Sequence, residues 1–179
     1  MKRTPDQALE ALRNQIRTWA RNEAKPDLRV FVYPPEWEAL ILSRLPSFAE
    51  RCAFEGDPVE LVDLGQGFLG EVEQREGLRE RLEGLRREDL LNDLAWIAAT
   101  YLRRTLLSTL KRGNVCRILM NSGSLGTFAS YSAVANELGG GGLNLRIPAT
   151  VLAFPGEGDE RSLNLLRLRV DTNYRVARI

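Results

Sequence analysis

Four short apolar runs, each closed by proline, glycine or aspartate and separated by stretches of helical periodicity, predict a three-layer α/β domain. The runs lie at 28–33 (LRVFVY), 59–64 (VELVDL), 115–120 (VCRILM) and 147–154 (IPATVLAF). Strands that alternate with helices are joined by crossovers, which make neighbouring strands parallel and place helices on both faces. The expectation is an open, mainly parallel sheet of four to five strands, Rossmann-like or P-loop-like in topology but without a Walker A motif. The 179 residues fit a single domain over 1–179, with an N-terminal helix in 1–25 and a C-terminal tail at 159–179.

Each element has a local cause. Thr4 can cap a first helix, Pro5 suits its first position, and Gln7 completes a capping box. Leu9, Leu12, Ile16 and Trp19 then share one stripe, and Pro26 stops the helix. The β-branched and aromatic run 28–33 ends at Pro34-Pro35. A second helix sets Trp37, Leu40, Ile41, Leu45, Phe48 and Cys52 at core spacing, and Pro46 inside it is expected to kink or split it. Gly56-Asp57-Pro58 turns into the second strand, with Asp63 near its carboxyl end. The segment 71–93 mixes both charge signs, as a solvated helical face does. The longest helix is expected at 88–112 and is predicted to be the most buried. Its apolar face comprises Leu90, Leu91, Leu94, Ile97, Ala98, Tyr101, Leu102, Leu106 and Leu110, and Gly113 serves as C-cap. After the third strand, Asn121-Ser122-Gly123-Ser124 opens a helix bearing Phe128, Tyr131 and Leu138, and four glycines follow at 139–142. The fourth strand stops at Pro155-Gly156, before an acidic turn of Glu157, Gly158 and Asp159. The weakly alternating tail is a candidate edge strand.

Composition excludes several classes of function. The chain is 44% hydrophobic and 27% charged with a net charge of +1, so it can build a core and presents no global field for nucleic acid or membrane. It contains no histidine, which removes the commonest general base and zinc ligand and any Ser-His-Asp triad. Two cysteines far apart, Cys52 and Cys116, do not suggest a disulfide framework. Only Lys2, Lys25 and Lys111 are lysines among 25 basic residues. The N-terminus lacks a signal-peptide core and no apolar run is long enough to span a bilayer, so a soluble cytoplasmic protein is expected.

Three constellations carry possible chemistry, each with a plainer structural reading beside it. Ser122, Gly123 and Ser124 join a strand to a helix start, where free amides favour anions, yet the GxxxxGK[ST] pattern is missing and no lysine follows Lys111. A tight turn explains the same residues. Glu36, Asp63, Glu157 and Asp159 fall near the carboxyl rim of the sheet, where oxygen ligands can hold Mg²⁺, and where helix capping and turns equally favour acids. Ser122, Ser124, Ser130 and Ser132 are nucleophiles by type only, with no base at recognisable spacing. No catalytic residue, metal or cofactor is therefore expected. The tail mixes Arg161, Arg167, Arg169, Arg175 and Arg178 with Leu163, Leu165, Leu166, Leu168 and Tyr174, a composition suited to a protein interface rather than to nucleic acid. Candidate partner anchors are Tyr33, Trp37, Phe154, Tyr174 and Arg175.

Four pieces in order resemble the BrxB family of bacteriophage-exclusion (BREX) defence systems. They are Tyr33-Pro34-Pro35-Glu36; the 59–64 run leading into a helix at 67–73; Ser122-Gly123-Ser124 opening a helix with Phe128; and Phe154-Pro155-Gly156 followed by Asp159, Ser162-Leu163, Leu165, Asp171, Asn173-Tyr174-Arg175 and Arg178-Ile179. The resemblance covers the chain from about Arg29 to its end. The chain departs from the family in having Asn121-Ser-Gly-Ser where Gly-x-Gly is usual, and Pro-Pro where Asp-Pro is frequent. The resemblance implies a cytoplasmic component of phage defence without established enzymatic activity, associated with a PglZ-type partner and compatible with contacts to other BREX components. The alternative from another class is a degenerate nucleotide-binding or phosphoryl-transfer enzyme with its site at the carboxyl rim.

Overall fold

The computed structural model describes residues 3–21, 28–74, 87–126, 148–158, 162–165, 168–171 and 177–178. Its centre is a parallel sheet of β1 (Leu28–Tyr33), β2 (Val59–Asp63), β3 (Cys116–Met120), β4 (Thr150–Pro155) and β8 (Ala177–Arg178), in the order β2-β3-β4-β1-β8. The four predicted strands are all present and all parallel. Their bounds shift by one residue at 64 and 115, and the fourth strand begins at Thr150. The tail supplies the expected edge strand in β8. A second sheet was not anticipated. β5 (Glu157–Gly158), β6 (Ser162–Leu165) and β7 (Leu168–Asp171) form an antiparallel meander between β4 and β8, its register setting Leu163 beside Val170 and Leu165 beside Leu168.

Alternation along the strands feeds two cores, one on each face of the sheet. Val30, Val32, Leu119, Leu152 and Phe154 face α3 (Leu64–Glu73), α4 (Arg87–Leu107) and Leu125 of α5 (Gly123–Gly126). Phe31, Tyr33, Cys116, Ile118, Val151 and Ala153 face α1 (Pro5–Arg21) and α2 (Glu38–Phe54). Leu9, Leu12 and Ile16 of α1 are buried there as their spacing predicts, whereas the Trp19 side chain lies outside the described residues. The capping box forms: the Thr4 amide donates to Gln7 Oε1 at 2.9 Å and the Gln7 amide to Thr4 Oγ1 at 3.3 Å.

Four expectations are corrected. Pro46 does not split α2, which runs unbroken past it; Pro46 is on the exposed side, where water can satisfy the carbonyl that lost its donor. Trp37 and Leu40 are not core residues of that helix. Trp37 closes a 3₁₀ turn (Pro35–Trp37) and is half-buried, and Leu40 is 39% exposed. The long helix ends at Leu107 rather than at 112, so Gly113 does not cap it; with φ +91° it sits instead in the turn before β3. The cause is Arg117 on β3. Its side chain is 2% exposed and donates to the carbonyls of Thr105, Ser108 (3.3 Å) and Thr109 (2.9 Å), satisfying the end of the helix where continuation would otherwise do so. Nor is α4 buried all along its predicted face, since Leu91 is 43% exposed.

Candidate functional site

The sheet has a topological switch point. From β1 the chain runs toward the β2 edge, and from β4 toward the β8 edge, so the carboxyl ends of these adjacent strands border the crevice where open α/β sheets bind ligands. Tyr33 pairs with Pro155 in register, and the Gly156 amide donates to the Tyr33 carbonyl at 2.9 Å. The 3₁₀ turn packs on β4 and β5 packs on β1, so the protein's own chain crowds this crevice.

The next two strand ends carry a polar network. Asp63 is the N-cap of α3, accepting from the Gln66 amide at 2.9 Å. The same Oδ1 accepts from Asn121 Nδ2 at 3.2 Å, and Asn121 Oδ1 accepts from Ser124 Oγ at 2.7 Å. Asn121 holds φ 59°, a left-handed conformation that asparagine tolerates better than most residues. Gly65 lies directly beneath: a Cβ there would sit 2.6 Å from Asn121 Nδ2 and 2.9 Å from Ser124 Oγ. Ser122 is fully buried, and its hydroxyl donates to the Ala153 carbonyl at 2.6 Å, tying β3's exit to β4. The anion-site candidates Ser122 and Ser124 therefore hydrogen-bond within the protein, and a Cβ added at Gly123 would meet Pro155 Cγ at 3.6 Å, an ordinary contact distance.

The acids divide. Asp63 caps a helix, and Glu36 is exposed in the first turn of the 3₁₀ helix. The backbone of Glu157 lies on β5, and Asp159 falls outside the described residues. Among the described residues no three His, Cys, Asp or Glu side chains converge as metal ligands would. The sequence reading missed Glu38. Its carboxylate accepts from the Tyr33 hydroxyl, and burial raises its pKa above the ordinary range while the phenol's hydrogen bond lowers it in part. An acid in the first turn of a helix, five residues after a strand-ending tyrosine, was the available signal.

The partner-anchor candidates fare unequally. Tyr33 and Phe154 are each 1% exposed and belong to the two cores, Tyr33 against Phe31 with ring centroids 5.3 Å apart. Side chains so covered cannot anchor a partner without opening the core, so this expectation is corrected for both. Trp37 is half-buried beside the rim and keeps part of its surface. Tyr174 and Arg175 lie outside the described residues, as does the expected helix face of Phe128, Tyr131 and Leu138. No family model, curated protein or solved structure matches this chain. Among the described residues no helix is long and apolar enough to cross a membrane.

Proposed function

We propose that this chain is a non-catalytic interaction module and that it serves a BREX-type phage-defence system by binding a PglZ-type partner. The interaction reading is carried by one observation: the polar groups at the carboxyl rim are engaged with one another. Asp63, Asn121, Ser122, Ser124 and Tyr33 all hydrogen-bond within the protein as a helix cap, turn contacts, a strand tie and a tyrosine–carboxylate pair, and none of these bonds pairs a nucleophile with a general base. The segments that follow the four main strands, 34–37, 64–67, 121–124 and 156–158, hold Glu36 and Glu157 and neither lysine nor arginine. That is the wrong charge for a phosphate ligand. The BREX assignment rests on the order of the sequence motifs. Parts of all four pieces that carry it, Tyr33-Pro34-Pro35-Glu36, the end of β2, Ser122-Gly123-Ser124 and Phe154-Pro155-Gly156, lie along this one rim, where Glu36 and Ser124 are exposed while Tyr33, Ser122 and Phe154 are buried.

Co-expression with the PglZ-type protein and affinity purification test the proposal. The variants are Glu36→Arg and Trp37→Ala at the rim and Tyr174→Ala and Arg175→Glu in the tail, each with its melting temperature. A complex should form, and at least one variant should weaken it by about tenfold, roughly 1.4 kcal/mol, without loss of melting temperature. Absence of a wild-type complex, or unchanged affinity in all four variants, rejects it.

A further inference from the structure

We draw no further inference here: the strongest candidate, the exposed apolar side chains Leu69, Leu91 and Trp96 on α3 and α4, carries nothing because nothing in the structure shows what covers them.

Discussion

Glu38 shows how one side chain makes stability depend on pH. Burial raises its folded-state pKa above 4.5, the Tyr33 hydrogen bond offsetting part of the rise. The folded protein therefore holds this proton more tightly than the unfolded chain does. The group's contribution to stability is greatest below pH 4.5 and is lost as pH rises through the raised folded value. Glu38→Gln removes the titration and keeps an oxygen for the Tyr33 hydroxyl. Urea denaturation from pH 4 to 8 should show a wild-type stability that declines relative to Glu38→Gln as pH rises; parallel curves would mean that Glu38 is not held in this environment. The thiols make a second prediction at this scale. Burial, with the charge of Glu55 adding to it, pushes Cys52 up to about 11, and burial pushes Cys116 up to about 12. At pH 8 the thiolate fraction is then on the order of 10⁻³ or less, and both groups are covered. A thiol reagent should label neither cysteine in the native protein and both in denaturant. Rapid native labelling of Cys116 would contradict its burial on β3 in the core shared with α1 and α2.

Arg117 joins two elements that neighbour each other only in the fold. It stands opposite Glu60 in the β2–β3 register, its Nε donates to Glu60 Oε2 at 3.2 Å, and the rest of its guanidinium donates to the carbonyl of Thr105 in the last turn of α4 and to those of Ser108 and Thr109 just beyond it. Arg117→Ala would leave Glu60, whose side chain is 9% exposed, with the more distant Lys111 at 3.7 Å as its ion-pair partner among the described residues, and would take the guanidinium from the Ser108 and Thr109 carbonyls, while the Thr105 carbonyl keeps the Ser108 hydroxyl. Breaking a buried pair in this way typically costs about 3–5 kcal/mol. Arg117→Met combined with Glu60→Leu should recover part of the loss, because the charges go but the helix end stays open; full recovery would show that the carbonyl contacts contribute nothing. Sequence could not reveal this arginine. It sits in an apolar run where alternation reads only as strand, and its partners are 8 to 57 residues away. The same gap explains the early end of α4, since periodicity continues through Leu110 while a side chain from another element closes the helix. Where the cause was local, sequence sufficed for the Thr4–Gln7 capping box and the β-branched strands, while for Asp63 it offered capping and Mg²⁺ binding alike, and the structure shows the cap. The β5–β7 meander was missed because its strands are only two to four residues long and the first of them is Glu157-Gly158, which reads as a turn. At the site, the position of the rim was legible from strand ends, but the hydrogen bonds of its hydroxyls to Ala153, Asn121 and Glu38 were not.

The whole molecule has an all-parallel α/β sheet, and the segments that follow its four main strands hold neither lysine nor arginine. Parallel order and a switch point between β1 and β4 supply the geometry. Binding would also need open backbone amides and a cation. Instead the Ser124 and Leu125 amides turn back on the carbonyls of Asn121 (3.3 Å) and Ser122 (3.1 Å), and the rim segments contain no basic residue. ATP, with or without Mg²⁺, should therefore leave the melting temperature unchanged. The measurement discriminates well. A ligand at a hundred times its dissociation constant stabilises the native state by about 2.7 kcal/mol, which for a chain of this size raises the melting temperature by roughly 5–10 °C. Ser124→Ala and Asp63→Asn complete the test, because both sit in the network without filling a core. A nucleotide-dependent rise in the wild type that either variant abolishes would place a ligand on Asp63, Asn121 and Ser124 and restore the enzymatic alternative. A flat response in all three proteins would leave the rim as protein-binding surface, with the partner experiments on Glu36 and Trp37 deciding whether it is used.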